Sequence, residues 1–150
     1  MPDVLTMGSF DTMHPGHIRL LRQCRELTWE LGRYRRGKLF IYVNTDEFIT
    51  RFKGVVPIFT AYERVEMAVT YVDGIELNDG DDQPALILRA LRHGGLLVIG
   101  DDWKDRDYLA QIGLAGKPTW LADHGIELVY VPRHGDWSTT AIRQRVLDRG

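Results

Sequence analysis

The chain has 150 residues, 44% of them hydrophobic, and a formal net charge of −2. That length suits one domain, 1–150, with a core of ordinary size, and the lack of a basic excess argues against a polynucleotide partner. Cys24 is the only cysteine, no apolar run is long enough to span a membrane, and no charged stretch followed by an apolar one opens the chain. We therefore expect a cytoplasmic domain with no membrane insertion and no disulfide.

In chain order, strand and helix patterns alternate. Val4–Met7 reads as a buried strand, and residues 16–31 as a helix that Gly32 ends. A basic turn, Arg33–Lys38, leads to a second strand, Leu39–Val43. Residues 46–59, with Gly54 and Pro57, read as irregular. Thr60 and Glu63 have capping-box spacing for a helix over 61–71. Gly74 opens a short strand, 75–77, and the polar run 78–83 precedes a helix over 84–92. The Gly94-Gly95 break gives way to Leu96–Ile99, a continuous apolar run of the kind a central parallel strand carries. A helix over 105–112, a loop with Gly116 and Pro118, and a short helix ending at Gly125 follow. Ile126–Val131 is the last strand, and Ser138 or Thr139 caps a final helix over 140–148.

Such repeated strand–helix–strand units predict a Rossmann-like, doubly wound α/β fold: a parallel five-stranded sheet, order 3-2-1-4-5, with helices on both faces. Ligands bind where the winding reverses, outside the carboxyl ends of the first and fourth strands. The loops 8–17, 100–103 and 132–140 should therefore border one crevice.

The first of these loops, Gly8-Ser9-Phe10-Asp11-Thr12-Met13-His14-Pro15-Gly16-His17, carries the strongest chemical signal. A helix start offers unpaired N–H groups and the positive end of the macrodipole, a ready anion site. Gly8 and Gly16 would let a phosphate approach the backbone. His14 and His17, three apart, share one side of the incoming helix turn. Metal sites also use this spacing, but His93, His124 and His134 have no ligand-like arrangement with them, and no metal ligand is assigned.

These residues resemble the signature of the HxGH nucleotidylyltransferases. Ser138-Thr139-Thr140-Ala141-Ile142-Arg143 resembles that family's second signature. Gly100-Asp101-Asp102-Trp103, Asn44–Phe48, Tyr71-Val72-Asp73 and Val129–Arg133 are similar to segments of its glycerol-3-phosphate cytidylyltransferase branch. The resemblance implies transfer of CMP from CTP to a small phosphorylated alcohol, glycerol 3-phosphate first, giving CDP-glycerol and pyrophosphate. Phosphocholine, phosphoethanolamine or adenylyl transfer to a sugar phosphate stand as alternatives, and a non-catalytic nucleotide-binding regulatory domain as one of another class.

The resemblance also implies residue roles. His14, His17 and Lys53 would be catalytic, stabilising the α-phosphate's transition state and the departing pyrophosphate. Gly8, Ser9, Phe10, Gly16, Asp102, Arg133, Ser138, Thr139 and Thr140 would bind the nucleotide, and Asp46 and Arg64 the acceptor. Mg2+ would be held mainly through substrate phosphates, and the protein would be a homodimer. Plainer readings stand beside these: a turn role for Asp11, a solvated or capping pair in Asp101-Asp102, packing for Trp103 and Trp137, and a surface charge in Arg143. The chain departs from the family at His134-Gly135-Asp136-Trp137, where Thr-Glu-Gly-Ile is usual. Its segment 104–125 is longer and is expected to form a lid over the acceptor.

Overall fold

The structure is a computed structural model that describes residues 2–29, 36–132 and 137–150. Five parallel strands lie in the order β3-β2-β1-β4-β5: β1 Val4–Gly8, β2 Leu39–Asn44, β3 Gly74–Asn78, β4 Gly95–Gly100 and β5 Ile126–Val131. Central β1 pairs with both β2 and β4, Val4 lying opposite Leu39 on one side and Leu96 on the other. The predicted order is the observed one.

The strands are near-continuous apolar runs because both faces are covered. Leu5, Met7, Leu97 and Ile99 point to one face, against Ile87 and Leu91 of the helix α4, Gln83–Ala90, and its continuation. Val4, Leu39 and Val98 point to the other, against Cys24 of α1, Pro15–Leu27. Ile41 and Val43 continue that face onto Leu21 and onto Ala68 of α3, Ala61–Ala68. Leu5 and Leu97 are fully buried, so truncating either to alanine should cost about 2–5 kcal/mol.

Three elements differ from the pattern expected of the sequence. The first helix ends at Leu27 rather than 31, because the buried Thr28 turns its hydroxyl onto the Arg25 carbonyl (2.6 Å) and its own carbonyl accepts from Gly37 N–H. Residues 46–53, read as irregular, form the helix α2, Asp46–Lys53. Thr45 caps its start by accepting from Phe48 N–H, and Gly54, at φ 71°, closes its end. The segment 104–125, expected as a lid, is packed into the core and also lines a cavity described below. Its short helices α5, Tyr108–Gln111, and α6, Trp120–Asp123, bring Tyr108, Ile112, Leu114 and Leu121 into the larger apolar cluster. The final helix, α7, runs Thr139–Arg149 with Ser138 as its cap. Among the described residues, no helix is long and apolar enough to cross a membrane.

Candidate active site

The chain leaves β1 through a strained corner. Phe10, Thr12 and Met13 all have positive φ, at 51°, 63° and 34°, a conformation that side-chain-bearing residues hold only when their surroundings fix it. The surroundings do so here. Phe10 is buried, with its ring centroid 5.4 Å from that of His17. Asp11 is buried too, and its carboxylate accepts from the N–H groups of Ile58 (2.7 Å) and Phe59 (3.0 Å). Asp11 thus ties the β1 loop to a loop far along the chain, instead of making the local turn expected of it.

His14 caps α1, and the two histidines form a reciprocal pair. His17 N–H donates to His14 Nδ1 (3.4 Å), and His14 N–H donates to His17 Nδ1 (3.3 Å). The rings stack at 3.7 Å between centroids. A ring nitrogen that accepts a hydrogen bond carries no proton, so each ring, while capping, is the neutral tautomer with its proton on Nε2. The backbone therefore sets the direction of both rings. Gly16 is required by these side chains. A Cβ there would lie 2.9 Å from His14 Cε1 and 3.1 Å from Trp137 Cβ.

Both histidines line a cavity of about 340 Å³ at the carboxyl ends of β1, β4 and β5. Ser9, Phe10, Asp11 and Gly16 line it from the first loop, Gly100, Asp102 and Trp103 from the second, and Ser138, Thr139 and Thr140 from the start of α7. The three loops predicted to share a crevice do share it. Two helix starts, those of α1 and α7, thus meet at one cavity and give it a positive potential. Thr139 Oγ1 donates to the Asp11 carbonyl (3.3 Å), which fixes the second helix start against the first loop. Arg143 also ties α7 down, donating to the Val56 carbonyl (2.8 Å) rather than standing as a surface charge. Trp137 stacks over His14 at 6.3 Å, and Trp103 packs edge-on against Tyr108 at 5.2 Å.

Lys53 enters from the last turn of α2. Although the residue is exposed overall, desolvation of its ammonium, joined by the Arg64 charge, draws its pKa below the usual 10.5, against the opposing pull of Asp11 and Asp102. Lys53 also lines a second cavity, of about 180 Å³, which reaches the carboxyl ends of β2 and β3. Ser9, Ile99, Asp102 and Trp103 belong to both cavities, and Gly8 to the second alone. The two spaces meet at the lysine.

Arg64 and Asp46 line neither cavity. Arg64 is fully buried, and its guanidinium is consumed by protein groups: Nε donates to Phe59 O (3.0 Å), Nη1 to Ser9 O and Asn44 O (2.7 Å each), and Nη2 to Asp46 Oδ1 (2.6 Å). The acceptor contact expected of Arg64 is thus replaced by a positioning role that joins the ends of β1 and β2 to the 54–60 loop. Arg133, and His134-Gly135-Asp136 of the departing segment, lie outside the described residues. The sequence reading missed the second cavity's Asn44, Asn78 and Gln83, while the segment 104–125, expected over the acceptor, supplies Arg106, Tyr108 and Gln111 to its lining. The three amides come from separate elements with no common spacing, so no motif could announce them.

A family model described as cytidylyltransferase-like matches residues 5–145. The chain is similar to glycerol-3-phosphate cytidylyltransferase of Bacillus subtilis (strain 168), 30% identical over 97% of this chain and 98% of that protein. It is also similar to FAD synthase of Korarchaeum cryptofilum (strain OPF8), 28% identical over 96% and 90% of the two chains. Among solved structures, the lipopolysaccharide core biosynthesis protein of Thermoplasma volcanium GSS1 superposes with a TM-score of 0.62 at 23% identity, over 92% of this chain and 99% of the other. This last likeness concerns the fold.

Proposed function

The chain belongs to the cytidylyltransferase-like family of nucleotidyltransferases, and we propose that it transfers CMP from CTP to glycerol 3-phosphate, giving CDP-glycerol and pyrophosphate. One observation carries the reading: two cavities, one at the paired histidines and helix starts and one beyond them, share a wall at Lys53. That is the layout a two-substrate phosphoryl transfer needs. CTP would occupy the larger cavity and the acceptor the smaller.

An acceptor phosphate oxygen attacks the α-phosphorus, a new P–O bond forms, and the bond from the α-phosphorus to the bridging oxygen breaks as pyrophosphate leaves. The nucleophile is already anionic, so the protein's task is alignment and screening of like charges. The Nε2–H groups of His14 and His17 donate to oxygens on which charge builds up, the helix starts of α1 and α7 hold the distal phosphates, and the Lys53 ammonium lies between the reacting anions. Among the described residues, no three carboxylate, imidazole or thiolate groups cluster to hold an ion. A Mg2+ ion, proposed on the family resemblance, would enter on the triphosphate oxygens, where it would supply further screening. The homodimer is proposed on the family resemblance alone, and sedimentation of the purified chain tests it.

Support for glycerol 3-phosphate comes from the Bacillus relative, which matches end to end. The deciding experiment is a matrix of pyrophosphate release with CTP, UTP and ATP against glycerol 3-phosphate, phosphocholine, phosphoethanolamine and sugar phosphates. We expect CTP with glycerol 3-phosphate to be fastest. Best activity with ATP would overturn the cytidylyl assignment, and no release with any pair would leave a nucleotide-binding domain without catalysis.

A further inference from the structure

We infer that the second cavity reads an uncharged, hydroxyl-bearing acceptor body through Asn44, whose amide is oriented by a chain of two further amides. The inference rests on the two-substrate reading above and goes on to name the residue that chooses the acceptor. The chain starts at the Gln111 carbonyl, which accepts from Gln83 Nε2 at 2.9 Å. Gln83 Oε1 accepts from Asn78 Nδ2 at 3.0 Å, and the same Nδ2 donates to Asn44 Oδ1 at 3.3 Å. Asn78 Oδ1 accepts from Gly80 N–H at 3.0 Å. These bonds settle which end of each amide is oxygen. Gln83 must turn its NH2 to a carbonyl, so its oxygen faces Asn78; Asn78 then has only NH2 to offer, so Asn44 must turn its oxygen inward. The Asn44 NH2 is left for the cavity.

The arrangement is rigid at every joint. Asn78 and Gln83 are 1% and 7% exposed, and the Asn44 carbonyl is held by Arg64 Nη1. Buried amides are tolerated only when paired, and apolar side chains would fill the same space without that demand. A fixed chain of three amides ending in a pair of N–H donors suits oxygen atoms in a ligand. The charges lining the cavity agree. Lys53 and Arg106 suit a phosphate, and Asp102, shared with the nucleotide cavity, is the only carboxylate residue among its described lining. The ligand class is a phosphate monoester with a small, neutral, hydroxylated body, as opposed to an aminoalcohol phosphate whose cation would find hydrogen-bond donors in place of acceptors.

Asn44→Asp is nearly isosteric and tests this directly. Its Oδ1 still accepts from Asn78, and only the atom left for the cavity changes, from donor to anionic acceptor. Isothermal titration of the intact protein with glycerol 3-phosphate or phosphoethanolamine, without nucleotide, reads the effect independently of turnover. The unsubstituted protein should bind glycerol 3-phosphate about tenfold or more tightly than phosphoethanolamine. Asn44→Asp should erase or invert that ratio, with CTP affinity unchanged within about twofold. Asn44→Ala, which deletes the donor without adding charge, should weaken glycerol 3-phosphate about five- to tenfold and gain nothing for the amine. Urea unfolding of each variant reports whether the fold is kept.

An unchanged ratio in Asn44→Asp, equal losses of CTP and both acceptors, or no preference in the unsubstituted protein would overturn the inference. The pyrophosphate matrix separates it from the cytidylyl reading. Use of ATP with a polyol phosphate bound through Asn44 keeps this inference and refutes CTP. Use of CTP with phosphocholine does the reverse.

Discussion

Arg64→Lys is the substitution whose outcome the geometry constrains most. The lysine keeps the charge but replaces a planar five-donor fork with one compact ammonium on a shorter reach. Arg64 makes four hydrogen bonds, to three carbonyls and one carboxylate, in a fully buried setting. An ammonium in that space can serve some of these acceptors and must abandon others. Each buried acceptor left without a donor costs about 1–3 kcal/mol. Two abandoned carbonyls therefore put the loss at about 3–4 kcal/mol, a large share of the 5–15 kcal/mol typical of a domain. With a urea slope of about 1–2 kcal/mol/M, the unfolding midpoint should fall by about 2 M.

Asp46→Asn makes the informative contrast. Its side chain is 36% exposed, and the asparagine oxygen still accepts from Nη2, so the loss should be about 1 kcal/mol or less. Below its unfolding range, Arg64→Lys should also lower kcat more than it raises KM for either substrate, because it loosens the Ser9 and Phe59 carbonyls that frame the histidine loop and not a ligand contact. A stability within about 0.5 kcal/mol of the unsubstituted protein's, together with a raised KM for the acceptor alone, would refute this reasoning and return Arg64 to the acceptor.

His17→Ala should lower turnover by about 100-fold or more while changing CTP affinity much less, and His14→Ala should do the same with an added stability loss from the removed cap; pyrophosphate release and nucleotide titration measure both, and near-normal turnover removes that histidine from the mechanism. Burial draws the Lys53 pKa below the usual lysine value, and only its charged form screens the reacting phosphates, so kcat/KM, which reports the free enzyme, should fall on the alkaline side with a midpoint below 10.5. In Lys53→Arg that limb should move up in pH or vanish; a limb that stays in place would assign it to another group.

The sheet was legible because its strands obey simple rules. Leu96–Ile99 is apolar at every position since both faces are covered, and the order is the common one for repeated strand–helix–strand units. The histidine loop was legible because its glycines, histidines and helix start fall within ten residues. Helix α2 was not, although Thr45 as cap, Asp46 and Glu47 in the first turn and Gly54 as stop all signal it. Only eight residues long, it buries just Phe48 and Ile49, too little to display a helical period, and Gly54 and Pro57 drew the segment toward a loop reading. Arg64 was misplaced for a different reason. Nothing in a sequence separates an arginine that binds phosphate from one that binds carbonyls, because the same donors serve both. The three amides fared worst, since Asn44, Asn78 and Gln83 meet only once β2 and β3 pair and α4 folds back against them.

The reciprocal cap has a consequence for how the site handles charge. Each Nδ1 is an acceptor, so protonating either ring would break a capping bond as well as add a charge. Two imidazolium rings stacked at 3.7 Å would also repel one another. The capping bonds thus give the histidines direction, and Lys53 and the two helix starts add positive charge. This division suits a transition state in which charge moves from the α-phosphate oxygens toward the leaving pyrophosphate. Fixed N–H dipoles stabilise the oxygens that gain charge without holding the product by a full ionic bond. A lysine at the end of an eight-residue helix can follow the migrating charge. On the proposed reaction, the fixed N–H groups thus belong to β1 and α1, and the ammonium to α2.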